Sequence, residues 1–385
     1  MTQIYLVRHA EAEGNLYRRA QGWYNALITE NGYAQIEALR ARFASVPVDA
    51  VYSSDLFRTM TTAKAVYLPK HLPLQTDERL REINLGAWED CTWSQVGRFD
   101  GAGLERFGSC SSQFRPEGGE SYKDVMVRMK AAVLDIAARH PGQTVAVFSH
   151  GVAIRCLQAA VRDWPPEGMA RLSHSDNTAV TLLEVDGERI KAVYENDNSH
   201  LPQKVSTLSK QQWWRDLNDP EASCRRDVTL WFRPLNMEEE TERSLYRDSR
   251  REAWRTIHGE MAHYDENAYV EAAEHQKVFC AMDGDRPAGV LQLDTAFRAE
   301  EKVGMIAFYY MTPEYRHKGL GVQLLGQAVS VYRPLGRDRL LLRCAPENAV
   351  AQHFYKKYGF RKVGDVPGTA VPLEYLEKYI GYEEQ

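Results

Sequence analysis

The chain has 385 residues, 44% of them hydrophobic and 26% charged, with a formal net charge of −5. That length exceeds one ordinary core and predicts two domains, and the composition is that of a soluble globular protein. The charge balance argues against a nucleic-acid-binding surface, no apolar run approaches the roughly 18 residues of a membrane span, and "MTQIYLVRHA" has no basic leader.

In chain order, "QIYLVRH" predicts a short buried strand ending at Arg8-His9, and the polar stretch after it a loop. "TENGYAQIEALRARFASV" carries apolar residues at helical spacing, with Thr29 placed to cap the helix and Pro47 closing it. "VDAVYSS" predicts a second strand and "RTMTTAKAVY" a helix, while "ERLREINLGAWED" predicts a strand entering a loop. Cys91 to Gly119 predicts short helices and loop around a site. "ESYKDVMVRMKAAVLDIAARH" is a helix, "QTVAVFSHG" a strand and "VAIRCLQAAV" a helix. "NTAVTLLEVDGERIKAVYEN" predicts a hairpin turning at Asp186-Gly187. Strands alternating with helices indicate a layered α/β domain.

From about 203 to 227 the chain is polar and rich in breakers, which predicts a linker with a short helix. Trp213 and Trp214 within it are expected to pack at a domain interface. A second α/β pattern follows: strand "VTLWFRPL", acidic-started helix "EEETERSLYRDSRREAWRTI", a hairpin turning at Asp283-Gly284 and central strand "VGMIAFYYMT". Helix "GLGVQLLGQAVSVY", strand "RLLLRC", helix "NAVAQHFYKKY" and strand "FRKVG" complete it. Six scattered cysteines (Cys91, Cys110, Cys156, Cys224, Cys280, Cys344) have no disulfide or zinc spacing and predict reduced thiols in a cytoplasmic protein.

Two Arg-His pairs stand out. In "LVRHAEAEGN" the first lies at a strand's carboxyl end, where open α/β sheets bind ligands. A neutral His9 imidazole there can attack phosphorus, and Arg8 and Arg58 can supply cations to the equatorial oxygens. His150, in "VFSHG", also sits just past a strand, and Glu82 can protonate the leaving oxygen and then activate water.

In this ordered set the first half resembles the histidine phosphatase (phosphoglycerate mutase-like) superfamily, over about residues 1 to 202. The matching positions are Arg8, His9, Arg58, Glu82 and His150, with "PEGGES" at 116 to 121. The resemblance implies that His9 becomes phosphorylated, that His150, Arg8 and Arg58 hold the phosphoryl group, and that Glu82 is the acid/base. It also puts Asn15 and Gln21 at substrate contacts. Ala10 stands where glycine is usual, Gly14 where tryptophan is common and Asn25 where aspartate is common. The segment between Glu82 and the "GGES" helix is short, and "LREINLGAWED" resembles the phosphatase branches. Hydrolysis is therefore expected, with a mutase as the alternative.

The second pair, in "PEYRHKGLGVQLL", follows a strand and opens a helix, where backbone N–H groups and the dipole favour anions. Glycines there let a pyrophosphate approach the main chain. This half resembles the GNAT N-acetyltransferase superfamily over about residues 228 to 365. The resemblance implies acetyl-CoA as the cofactor, its pyrophosphate at Arg316, His317, Lys318, Gly319 and Gly321, and its pantetheine arm near Tyr310 to Thr312, including Met311. Asn348 would contact the arm and Tyr355 would protonate the departing thiolate. "MIAFYYM" lacks the strand glutamate that many relatives use, so the general base is unassigned.

The sequence thus predicts a three-layer α/β/α histidine phosphatase fold over residues 1–205, a linker over 206–227, and a GNAT α+β fold over 228–385. It predicts a metal-independent phosphatase joined to an acetyl-CoA-dependent N-acetyltransferase, acting on small phosphate esters and amines, without nucleic acid or membrane partners. A non-catalytic acetyl-CoA sensor controlling the phosphatase is the alternative for the second half.

Overall fold

The structure is a computed structural model and describes residues 1–211, 228–259, 264–367, 369 and 371–382. Trp213, Trp214 and Cys224 lie outside the described residues. The chain divides into two units, Met1–Asp227 and Val228–Gln385.

The first unit is built on a six-stranded sheet. Its strands are β1 (Thr2–Arg8), β2 (Ala50–Ser53), β3 (Leu74–Thr76), β4 (Thr144–Ser149), β5 (Val180–Asp186) and β6 (Arg189–Asp197), in the order β3-β2-β4-β1-β5-β6. The first four run parallel, and the β5–β6 hairpin closes one edge antiparallel. Side chains alternate between faces along each strand, so a sheet covered on both sides reads as almost continuous apolar text. Ile4, Leu6, Val145 and Val147 pack with Val125 and Met129, while Val7, Val51, Ala146 and Phe148 pack with Leu39 and Phe43. The helices supplying these partners give three layers.

Those helices are α1 (Glu13–Tyr17), α2 (Glu30–Phe43), α3 (Phe57–Tyr67), α4 (Trp93–Phe99), α5 (Gly101–Gly108), α6 (Tyr122–Arg139) and α7 (Gly151–Val161). Thr29 caps α2, its side chain accepting the Gly32 N–H at 3.0 Å. The strand expected in "ERLREINLGAWED" is absent: Glu78–Leu80 and Gly86–Trp88 form single 3-10 turns. The reason is a competing donor. Arg128 on α6 donates to the carbonyls of Arg79, Arg81 and Glu82 at 2.6–2.8 Å, taking acceptors that a strand ladder would use.

A short helix α8 (Thr207–Lys210) lies in the first unit, inside the stretch expected as linker. Buried Asp176 accepts from Ser206 Oγ at 2.5 Å and from the Thr207 and Leu208 N–H groups, both at 3.2 Å.

The second unit contains a seven-stranded sheet. It comprises β7 (Trp231–Pro234), β8 (Lys277–Asp283), β9 (Arg286–Asp294), β10 (Val303–Met311), β11 (Arg339–Cys344), β12 (Arg361–Asp365) and β13 (Glu374–Tyr379). Their order is β12-β13-β11-β10-β9-β8-β7, with β10 and β11 parallel. Its helices are α9 (Glu240–His258), α10 (Glu266–Glu274), α11 (Val322–Tyr332) and α12 (Ala349–Lys357). Pairing of β10 with β11 ends at Ile306–Leu342, and the β10–β9 register shifts between Ile306 and Phe308. Beyond that bulge β10 keeps β9 as partner while β11 keeps β13, so the two central strands part.

Candidate active sites

In the first unit the carboxyl ends of β1 and β4 bring Arg8, His9 and His150 together. The His9 and His150 ring centroids are 5.2 Å apart, and both residues are buried. His9 Nδ1 donates to the Ala10 carbonyl at 2.7 Å; a carbonyl only accepts, so Nε2 carries the free lone pair. His150 Nε2 meets Ser54 Oγ at 3.0 Å. With that hydroxyl donating, Nδ1 of His150 holds the proton. Burial, then the charges of Arg58 and Arg8, push the His9 pKa well below the ordinary imidazole value. Burial, Arg58 and His9 do the same for His150.

Arg8 Nη1 donates to the Ser175 carbonyl, while its Nε is buried and without a partner among the described residues. His150 Nδ1 is in the same state. Two orphaned donors beside a neutral imidazole are groups that an oxyanion would satisfy, since buried donors left unpaired cost about 1–3 kcal/mol each. Gly151 leaves room for the Arg8 guanidinium: a Cβ there would stand 3.3 Å from Arg8 Nε.

Arg58, fully buried on α3, is aimed by the loop before α2. It donates to the Tyr24 carbonyl at 2.9 Å and the Gly22 carbonyl at 2.7 Å. Asn25 Oδ1 accepts the Phe57 N–H at 2.8 Å and so ties the same loop to the start of α3. Glu82 faces the first turn of α7. Its Oε1 accepts from Ala153 N–H at 2.9 Å and its Oε2 from Val152 N–H at 3.1 Å. Asn15 and Gln21 face each other rather than standing free. Gln21 Nε2 donates to Asn15 Oδ1 at 3.3 Å, and Gln21 Oε1 accepts the Gly14 N–H at 3.1 Å. A side chain at Gly14 would occupy the Gln21 position, which accounts for the glycine.

Sequence reasoning missed the residues that hold these groups. Asn177 Nδ2 donates to the His9 carbonyl at 2.9 Å, and Thr178, at φ 61°, donates its N–H to the Arg8 carbonyl at 3.1 Å. A β-branched residue in the left-handed region is strained, which marks a loop held by its surroundings.

In the second unit the loop after β10 carries the other candidates. His317 and Gly319 have φ values of 59° and 73°, and Gly321 opens α11. Nothing lies within 4 Å of a Cβ built on Gly319. His317 and Lys318 are exposed. Arg316 is occupied by protein groups: it donates to the Met311 carbonyl at 2.9 Å and to Glu252 at 2.7 Å. The loop therefore offers an anion its backbone N–H groups rather than that guanidinium. The Thr312 hydroxyl is buried and without a partner among the described residues. Asn348 caps α12 through the Ala351 N–H at 3.1 Å. Tyr355 is buried against Tyr309, Phe354 and Phe360, and burial raises its pKa above the ordinary phenol value. The parted β10 and β11, the orphaned Thr312 hydroxyl and the open glycine turn fit an extended cofactor arm ending in a pyrophosphate.

Among the described residues no cluster could hold a metal ion, and no helix is long and apolar enough to cross a membrane. The chain is 32% identical to a probable phosphoglycerate mutase, GpmB, of Proteus mirabilis, over 45% of this chain and 80% of that protein. It is also 32% identical to phosphoserine phosphatase 1 of Hydrogenobacter thermophilus, over 42% and 76% respectively. The solved structure of Bacillus stearothermophilus YhfR is 36% identical, with a TM-score of 0.51, over 52% of this chain and 99% of its own. A model of the acetyltransferase (GNAT) family matches residues 239–360. The model of the histidine phosphatase superfamily (branch 1) matches residues 4–198, half of the sequence, and the chain belongs to that superfamily, with a GNAT domain following.

Proposed function

We propose that the first unit hydrolyses phosphomonoesters through a phosphohistidine at His9, and that the second transfers an acetyl group from acetyl-CoA to an amine. The observation that carries the first half is the pair of buried donors, Arg8 Nε and His150 Nδ1, without partners among the described residues, beside a neutral His9. His9 Nε2 attacks phosphorus, the ester P–O bond breaks, and Glu82 gives its proton to the leaving oxygen. Glu82 then takes a proton from water as the water oxygen attacks phosphorus, the P–N bond breaks with its electron pair returning to Nε2, and inorganic phosphate and neutral His9 are released. Arg8, Arg58 and His150 bear the charge on the equatorial oxygens. Asn15 and Gln21 border the remainder of the substrate.

The test is hydrolysis of para-nitrophenyl phosphate without added metal by wild type and His9→Ala. Activity lost in the variant supports the mechanism, and equal activity in both overturns it. A mutase reading is favoured by the Proteus mirabilis relative. A phosphoenzyme that survives in water but passes its phosphoryl group to a phosphoglycerate would support it.

For the second unit, acetyl-CoA would supply the reactive thioester. The end of β10, near Tyr310 to Thr312 and including the Met311 N–H, would hold its arm, with Asn348 beside it, and the N–H groups of residues 317–321 would hold the pyrophosphate. Tyr355 would protonate the departing sulfur. Glu252 is a poor base: burial favours its neutral form, but Tyr310 and Arg316 outweigh that and hold its pKa below the ordinary value. This leaves room for a sensor reading, which phosphatase rates responding to CoA without any acetyl acceptor would favour.

A further inference from the structure

Helix α9 carries a row of arginines, and most are neutralised by carboxylates. Arg243 pairs with Glu240 at 2.6 Å, Arg247 with Glu240 at 3.0 Å, and Arg251 with Glu266. Arg250 is different. Half-buried, it donates Nε to the Tyr246 hydroxyl at 3.2 Å and Nη2 to Gln292 Oε1, both neutral acceptors. It has no carboxylate partner among the described residues. Its guanidinium carbon instead lies 4.0 Å from the Phe308 ring centroid and 4.8 Å from that of Tyr269. A cation held by ring faces and neutral dipoles keeps its demand for an anion.

Its place in the sheet gives that demand a purpose. Phe308 is the first residue of β10 to regain β9 pairing after the bulge, just beyond the last β10–β11 pair at Ile306. Arg250 therefore stands over the point where the central strands part. Phe308 stacks on Tyr310 at 5.9 Å, so one aromatic face runs from under Arg250 toward the cofactor loop. Two further buried polar groups in this aromatic cluster, Trp254 Nε1 and the Tyr264 hydroxyl, are without partners among the described residues. A surface that sets beside a strand opening a cation without a carboxylate partner, and donors without acceptors, among the described residues suits an oxyanion-bearing small molecule.

We infer that Arg250 recognises the acetyl acceptor: the amine that enters the second unit carries a carboxylate or phosphate group, which docks on the guanidinium above Phe308. The inference rests on the acetyl-transfer reading and narrows its substrate class. Acetyl transfer itself needs only the amine, so a neutral amine of the same size should be a poorer substrate for want of this contact.

The experiment uses the full-length protein with acetyl-CoA and follows thiol release with matched amines: β-alanine against β-alaninamide, and O-phosphoethanolamine against ethanolamine. At least one charged member is expected to exceed its neutral partner about tenfold or more in kcat/KM, as for a charge-assisted hydrogen bond. Which pair shows the preference separates carboxylate from phosphate. Arg250→Gln should abolish the preference by lowering the rate with the charged amine about tenfold more than the rate with the neutral one, and Arg250→Lys should restore part of it. Equal use of charged and neutral members, or equal losses for both in Arg250→Gln, would overturn the inference. Absence of thiol release with all four amines would count against the acetyl-transfer reading instead. The anion site is then decided by thermal unfolding with β-alanine and O-phosphoethanolamine: a larger stabilisation of wild type than of Arg250→Gln upholds it, and identical shifts overturn it.

Discussion

Glu89 Oε2 accepts the backbone N–H of Tyr24 at 2.7 Å, and the Tyr24 carbonyl in turn accepts from Arg58 at 2.9 Å. The same carboxylate takes the N–H groups of Gly22, Trp23 and Leu85 at 2.7–3.1 Å. Four backbone donors on one carboxylate hold the loop whose carbonyls aim Arg58. Replacing Glu89 by Gln turns an N–H₂ group toward those donors, and only one oxygen remains to accept. Glu89→Gln is expected to lower phosphatase kcat/KM about tenfold to a hundredfold, with vanadate inhibition weakened in parallel because both depend on Arg58. Undiminished vanadate affinity would show that Arg58 keeps its aim without this loop.

Four of the five proposed phosphate-site residues were legible because each sits at a strand end or helix start: Arg8-His9 at the end of β1, Arg58 at the start of α3, His150 before α7; Glu82, between two 3-10 turns, was legible only from its place in the ordered set. Their supports were not. Arg128 reaches Glu82 across 46 positions and Asn177 reaches His9 across 168, and no local pattern records such a pairing. The same long-range donor, Arg128, keeps "ERLREINLGAWED" from forming the expected strand, because it takes carbonyls that a ladder would use. In the second unit α10 went unread because it is short and follows α9 closely. The insertion of β13 between β11 and β12 is a matter of topology that strand propensity does not reveal.

The depressed pKa values of His9 and His150 have a kinetic consequence. An imidazole attacks only when deprotonated, so activity is lost as pH falls through the pKa of the nucleophile. Burial and the two arginines lower that pKa, so the acid limb of kcat/KM should fall well below the ordinary value of about 6.5. Arg58→Gln removes one of the depressing charges and should move the limb upward, toward neutrality, in addition to lowering the plateau. A limb that stays in place would mean that some other group controls it.

Gly151 tests the shape of the proposed oxyanion site. A Cβ at this position would lie 3.3 Å from Arg8 Nε and 3.4 Å from its guanidinium carbon, so the arginine must give way. Arg8 is also fixed by its bond to the Ser175 carbonyl, which limits that movement. Gly151→Ala should raise KM for para-nitrophenyl phosphate several-fold and reduce kcat, with little change in the urea midpoint. A large loss of stability with unchanged KM would assign the glycine to packing.

Asp176 joins the site to the chain that leaves it. Besides Ser206, Thr207 and Leu208, it accepts from Asn198 Nδ2 at 3.1 Å and from the Asn177 N–H at 2.9 Å, and Asn177 holds the His9 carbonyl. Asp176→Ala strands several buried donors and is expected to cost on the order of 2–4 kcal/mol in urea unfolding of the first unit. Phosphatase activity should fall as well, because the loop carrying Asn177 loses its anchor. Unchanged stability would mean that water replaces the carboxylate without loss.

Tyr355 offers the corresponding test in the second unit. Its hydroxyl is on a ring packed against Tyr309 at 6.0 Å and Phe360 at 5.4 Å, in surroundings that penalise the phenolate and raise its pKa. At neutral pH it is therefore a proton donor and never a base, which suits a group that meets a thiolate as it departs. Phenylalanine preserves the packing and removes only the hydroxyl. Tyr355→Phe should lower kcat for thiol release about tenfold to a hundredfold, the ordinary worth of a general acid, while calorimetric affinity for acetyl-CoA stays the same. A fully active Tyr355→Phe would reduce the residue to a packing role, and solvent would then have to protonate the sulfur.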